Sequence, residues 1–194
     1  EDTVDKAAGC QALSIITSTP VTASMLDRYK ALGVRLISTR TIGYEHIDYK
    51  YAAKIGITVS NISYPPEGVA EYAIMMMLMA LRKIKSLMYR NLGQDYTMRE
   101  NCGRQLNELT VGVVGTGAIG STVIKDLQGF GCRILACSRT RKPELEGLAE
   151  YTDLDTLLAE SDVVTLHLSS SKDTWHIFND DTFSSTLSTI NLTL

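Results

Sequence analysis

Apolar and polar positions along this chain alternate between the spacing of short strands and that of helices. Residues 12–17 and 34–38 are short apolar strand candidates, and 22–32 between them sets Met25, Leu26, Tyr29 and Leu32 at helical spacing, with Gly33 to end the helix. Residues 46–54 predict a short helix closed by Gly56, followed by the strand Ile57-Thr58-Val59. Pro65-Pro66 stops this first half, and from Glu67 a long helix is predicted to about Arg90. Its centre, residues 73–81, is apolar on every face, which predicts protein all round it: two domains, a partner subunit, or the interior of a single core. A bilayer span needs about 20 apolar residues; this run is shorter and Arg82-Lys83 closes it, so no membrane segment is expected. Residues 91–109 are polar with little periodicity and read as a surface loop, or as an arm between domains or subunits.

The second half carries the sharper signal. Residues 111–120 read V-G-V-V-G-T-G-A-I-G, an apolar run set directly against a Gly115-x-Gly117-x-x-Gly120 turn. In a strand, tight loop and helix start, Gly115 permits the sharp turn, Gly117 lets the main chain approach a pyrophosphate, and Gly120 lets the helix pack on the strand. The free N–H groups and positive dipole end of that helix then face the phosphates. Glycines also mark ordinary turns, so the neighbouring pattern decides. Val123, Ile124, Leu127 and Phe130 follow at helical spacing, Gly129 and Gly131 end that pattern, and residues 133–137 form a short apolar strand. The unit is about 30 residues long, the length a βαβ dinucleotide fold requires. Asp153 is a candidate N-cap for a helix with Leu154, Leu157 and Leu158 on one face, and residues 162–168 predict the next buried strand. The expected class is α/β: a Rossmann-type doubly wound parallel sheet, preceded by a partial flavodoxin-like substrate domain. Expected boundaries are 1–64 for that first domain, 65–110 for a linking helix and arm, and 111–194 for an incomplete dinucleotide-binding domain.

With 194 residues and 44% apolar content the chain can bury a sizeable core. A net charge of −3 without a basic run argues against a nucleic-acid partner. Cys10, Cys102, Cys132 and Cys137 have neither metal-ligand spacing nor the density of a disulfide scaffold, so no metal is expected and reduced cytoplasmic thiols are. About 20 residues past the glycine turn, NAD enzymes place a carboxylate on the adenosine ribose. Here stands Ser138-Arg139-Thr140-Arg141. With no carboxylate to repel a 2′-phosphate, the cofactor reading is NAD or NADP with NADP slightly favoured; the alternative is that both guanidiniums are solvated loop charges.

Four motifs in order, residues 38–48 (STRTIGYEHID), 68–72 (GVAEY), the glycine turn and 161–168 (SDVVTLHL), resemble the D-specific 2-hydroxyacid dehydrogenases. Within them the likeness is greatest to the D-lactate dehydrogenase branch, including the pyruvate-reducing enzymes of glycopeptide resistance, and it runs from about Asp5 to Phe183. The resemblance implies a two-domain subunit with its active site in the cleft between domains, a small 2-keto acid such as pyruvate as substrate, and a homodimer in the full-length protein. It implies that Ile42 and Gly43 offer N–H groups to the substrate carboxylate and that Tyr64 lines the substrate pocket, unless Tyr64 is only a packing aromatic. It implies that Gly115, Gly117, Ala118, Ile119 and Gly120 hold the pyrophosphate and that Leu168, Ser169 and Thr174 border the ribose groups.

The chain departs from that pattern in three places. The Arg, Glu and His that act on substrate in the family lie beyond the next strand, and none of His46, His167 and His176 has an evident carboxylate partner, so no residue is assigned a catalytic role. Ser169-Ser170-Ser171 stands where a Pro-containing turn is usual, and residues 184–194 do not resemble the family. The expectation is a fragment, its end cut short, altered in frame or a natural variant tail, that binds nucleotide poorly and is inactive alone. A non-catalytic dinucleotide-binding module and a non-functional truncated product remain as alternatives.

Overall fold

The computed structural model describes residues 4–16, 19–97, 103–171, 173–180 and 182. Cys102 and the divergent tail lie outside them. The chain divides into two compact units, 1–65 and 66–194.

In the first unit β1 (Ala12–Ile15), β2 (Leu36–Thr39) and β3 (Thr58–Ser60) form a parallel sheet in that order. Helices α1 (Ala23–Ala31) and α2 (Tyr49–Lys54) connect the strands. Leu13, Ile15, Ile37 and Val59 point to one face, where they meet Leu26 of α1 and Ala52 of α2. Helix α2 starts at Tyr49 and not at His46, because the Asp48 carboxylate accepts a hydrogen bond from the Tyr51 N–H and fixes the helix start there.

In the second unit the helix expected from Glu67 to about Arg90 is two helices, α3 (Glu67–Leu81) and α4 (Ile84–Leu92), with Lys83 between them at φ 53°. The break has a cause far away in sequence. The Leu81 carbonyl accepts from Arg104 N–H at 3.1 Å, and a methyl group at Gly103 would collide with that same carbonyl. The returning chain thus takes the acceptor that a continuing helix would use. Nor is α3 enclosed by this chain on every side: Ala70, Ala73, Ile74, Met77 and Leu81 are buried, while Tyr72 is 60% and Met75 42% exposed. The buried stripe packs into the core with Leu106, Leu109, Val123, Ile124 and Leu127, so the segment expected to link domains contributes to the second unit.

The sheet of this unit contains β4 (Thr110–Val114), β5 (Arg133–Cys137), β6 (Glu150–Tyr151) and β7 (Val163–Leu166), in the order β6-β5-β4-β7, with every pair parallel. Helix α5 (Ala118–Leu127) lies with α3 on one face, and α6 (Leu154–Glu160) covers the other through Leu157 and Leu158. Strand β6 lacks an apolar run, and the sequence reading missed it. The Asp153 carboxylate caps α6 by accepting from Thr156 N–H at 2.9 Å. Because β5 and β6 extend to one side of β4 and β7 returns to the other, the order reverses beside β4; ligands of open α/β sheets settle at the carboxyl ends of strands at such a point.

Candidate dinucleotide site

The three glycines of the turn act through three different constraints. Gly115 follows β4 at φ 94°, and a methyl group there would stand 2.5 Å from the His167 carbonyl oxygen, so this position requires left-handed backbone and close approach of two chains. Gly120 faces the Gly115 carbonyl, with which any side chain would collide. Gly117 is the N-cap of α5, and the space its side chain would occupy is open. Two glycines therefore serve the fold, and the third leaves a vacant approach to the main chain.

That approach ends on hydrogen-bond donors. Among the described residues nothing accepts from the N–H groups of Gly117, Ala118 and Ile119. They belong to the first turn of a ten-residue helix, whose leading N–H groups have no intrahelical acceptor and whose dipole favours an anion. A pyrophosphate suits this donor set and this open space.

Neighbouring strand ends converge on the turn. Gly115 N–H donates to Cys137 O at 2.8 Å and His167 N–H to Val114 O at 2.8 Å. Ser138 and Arg139 thus follow directly on one side, and Leu168 lies against Gly115 on the other. Ser169 and Thr174 belong to the turn after β7, where the Thr174 hydroxyl donates to Ser169 O at 2.7 Å. Arg139 is 87% exposed, with Asp173 at 3.9 Å, whereas the Arg141 guanidinium lies 5.6 Å from the centre of the Tyr151 ring. Only one of the two guanidiniums is unengaged by an aromatic face.

The sequence reading missed the polar contacts behind the turn. The buried Thr116 and Ser121 are linked by a hydrogen bond from Ser121 Oγ to Thr116 O at 3.0 Å, Lys142 Nζ donates to Ser121 Oγ at 3.1 Å, and the Tyr151 hydroxyl donates to Thr116 Oγ1 at 3.2 Å. No local pattern signals this set, because its members come from four separate segments.

Ile42, Gly43 and Tyr64 all lie in the first unit. The Ile42 carbonyl accepts from Asn61 Nδ2 at 2.8 Å and the Gly43 carbonyl from the Thr41 hydroxyl at 2.6 Å. Both carbonyls are occupied, while among the described residues the N–H groups of Ile42 and Gly43 make no backbone hydrogen bond, and the Glu45 carboxylate lies close against Gly43. Asn61 also ties the segment bearing the exposed Tyr64 to this turn. The described histidines make no ion pair with a carboxylate. His167 Nε2 lies 3.0 Å from the Thr165 hydroxyl, and burial pushes its pKa down, which favours the neutral ring. Among the described residues no group of His, Cys, Asp and Glu could hold a metal ion, and no helix is long and apolar enough to cross a membrane.

The family described as D-isomer specific 2-hydroxyacid dehydrogenase, NAD binding domain, matches residues 74–192. A D-specific alpha-keto acid dehydrogenase of Enterococcus faecalis is 43% identical over 176 residues, covering 91% of this chain and 53% of that protein. The D-lactate dehydrogenase of Escherichia coli is 35% identical over 185 residues, 94% of this chain and 56% of its own length. Among solved structures, D-lactate dehydrogenase from Aquifex aeolicus complexed with NAD and lactic acid superposes with a TM-score of 0.88 at 33% identity, over 97% of this chain and 57% of that one. The chain spans about half the length of the relatives it matches. It belongs to the D-isomer specific 2-hydroxyacid dehydrogenase family.

Proposed function

We propose that this chain forms part of an oxidoreductase that transfers a hydride between NAD(P)H and a small 2-keto acid, pyruvate and D-lactate being the leading pair. The observation that carries the reading is the row of unpaired N–H groups at Gly117, Ala118 and Ile119, at the reversal of strand order, beneath open space. Gly115 and Gly120 shape this seat. Leu168, Ser169 and Thr174 border the ribose groups from the β7 side. Ile42 and Gly43 present their amides to the substrate carboxylate, and Tyr64 lines its pocket. A bound nicotinamide supplies the hydride to the carbonyl carbon, while the protein binds, orients and stabilises developing charge.

The chain by itself is proposed inactive. Reduction of the carbonyl also needs a proton at its oxygen, and no described histidine stands against a carboxylate that would hold it charged for this purpose. For the cofactor, the absence of a carboxylate in the sequence directly after β5 favours NADP, with Arg139, which lies 3.9 Å from Asp173, as the 2′-phosphate contact. We further place the full-length protein in the cytoplasm, in keeping with the free thiols of Cys10, Cys132 and Cys137, and as a homodimer. The apolar surface left on α3 by Tyr72 and Met75, and on α4 by Leu87, Met88, Tyr89 and Leu92, supports a second copy as partner.

NADH titration followed by heteronuclear NMR tests the central reading. Saturable shifts at residues 115–120 are expected, together with no NADH oxidation when pyruvate is added. Gly117→Ala leaves the fold intact, since the methyl enters open space at φ −65°, yet weakens NADH binding by about tenfold through steric exclusion of the phosphates. Undiminished binding in this variant refutes the seat, and turnover by the purified chain refutes its inactivity.

A further inference from the structure

We infer that Tyr151 is a positioning residue for cofactor selection, holding the ribose-reading loop 138–142 in register with the phosphate turn 115–120. The inference rests on the dinucleotide reading above. Tyr151 stands on the edge strand β6, paired with Ala136 of β5. Its hydroxyl accepts from Lys142 N–H at 3.2 Å and donates to Thr116 Oγ1 at 3.2 Å, so one oxygen joins both loops. Its ring meanwhile carries the Arg141 guanidinium. A second bridge runs parallel: Lys142 Nζ donates to Ser121 Oγ at 3.1 Å, and Ser121 Oγ donates to Thr116 O.

This arrangement divides the labour within a cationic loop. Arg141 and Lys142 are committed to the brace, which leaves Ser138 and Arg139 as the part presented beyond it. A dinucleotide lying across β4 and β5 has its pyrophosphate set by one loop and its adenosine ribose by the other. The near ends of the two loops are joined directly, by Gly115 N–H to Cys137 O at 2.8 Å and Thr116 Oγ1 to Thr140 O at 3.5 Å, and the Tyr151 hydroxyl ties in the far end at Lys142; charged recognition tolerates displacements of only about 0.5 Å before it weakens. Thr116 and Ser121 are buried, so water does not readily replace the lost bonds.

The test compares the affinities of the chain for 2′,5′-ADP and for ADP by NMR titration, in wild type and in Tyr151→Phe. The Phe variant keeps the ring and the Arg141 contact and loses both hydrogen bonds. The wild type is expected to prefer 2′,5′-ADP, and Tyr151→Phe to lower that preference about threefold to tenfold, with ADP affinity nearly unchanged. Thr116→Val removes the same bond from the other side together with the Thr116 Oγ1 to Thr140 O contact at 3.5 Å, and is expected to lower the preference at least as far, with the double variant no further than Thr116→Val alone. An unchanged preference in Tyr151→Phe, or an equal loss of both ligands, overturns the inference. If Tyr151→Phe does not fold, Tyr151→Leu, which also lacks the hydroxyl, takes its place, and an unchanged preference there or in Thr116→Val overturns the inference. Arg139→Ala separates the two levels: if it abolishes the preference while Tyr151→Phe does not, the cofactor reading stands and the positioning role falls. If Arg139→Ala changes nothing, or the wild type binds neither nucleotide, the cofactor reading falls and the inference with it.

Discussion

The two units repeat one construction, parallel strands joined by helices, and differ in what covers the sheet and in how the turns at strand ends are held. In the second unit Val111, Val113, Ile134 and Val163 face a core shared with α3 and α5, while Val114, Leu135 and Val164 face another beneath α6. In the first unit one face meets α1 and α2, and the other presents Ala12, Ser14, Leu36, Ser38, Thr58 and Ser60, all exposed or half-buried. The turn after β4 is shaped by steric exclusion around Gly115 and Gly120; the turn after β2 is held by hydroxyl and amide hydrogen bonds at Thr39, Thr41 and Asn61. A sheet buried on both faces can fix donors for a ligand through packing alone. One covered on a single face relies on side-chain hydrogen bonds for the same end.

The largest effect expected from this contrast is at Gly120. Gly120→Ala drives a methyl group into the Gly115 carbonyl, a backbone atom that cannot rotate away. Overpacking a core costs about 1–3 kcal/mol where side chains can yield, so this variant is expected at or above the upper end, read as a fall in the urea midpoint of the second unit. A midpoint within error of wild type would show that the turn is not sterically determined.

How much of this was legible in the sequence follows the same division. Strands β4, β5 and β7 announced themselves because burial on both faces leaves continuous apolar runs, and β5 was expected over the same five residues that form it. The N-cap role of Asp153 was readable because Thr156 lies only three residues on. What failed to show was long-range. The break at Arg82-Lys83 depends on Gly103 and Arg104, β6 is two residues drawn onto an edge by Ala136, and the Thr116, Ser121, Lys142 and Tyr151 contacts assemble only when β4, β5 and β6 align. The unpaired amides at 117–119 were implied by the glycine spacing; the occupied carbonyls at Ile42 and Gly43 were not, since Asn61 supplies one of their donors from 19 residues away.

The burial contrast itself is sharpened by a matched pair of truncations. Val113 on β4 is fully buried, whereas Val59 on β3 is half-buried. Val113→Ala is expected to cost about 2–3 kcal/mol, counting two lost methyl-sized groups and the cavity left behind, and Val59→Ala about 1 kcal/mol. Equal losses in chemical denaturation would erase the distinction between the sheets. Thr41→Val then probes the hydrogen-bonded turn. It removes the donor to Gly43 O and the contact with Thr39, and is expected to cost about 1 kcal/mol of stability, with a measurable loss of order at Ile42 and Gly43 in amide hydrogen exchange.

The smallest effect concerns α6, the helix on the second face of the second unit's sheet, which among the described residues has no counterpart in the first unit. Asp153 starts that helix: the Thr156 N–H first, and then the Thr156 hydroxyl, hold the Asp153 carboxyl below its usual pKa. A carboxylate whose pKa is lowered by folding stabilises the native state above its unfolded pKa, about 3.9, and that contribution is lost as pH falls through the folded value. Asp153→Ala is therefore expected to lower Tm modestly at pH 7, and the gap from wild type to narrow as the pH is taken below about 4, because protonation removes from the wild type the charge that the variant never had. The direction is the informative part. A gap that stays constant down to acid would mean that Asp153 caps α6 as a neutral acceptor does, and a gap that widens would mean that its charge opposes the fold.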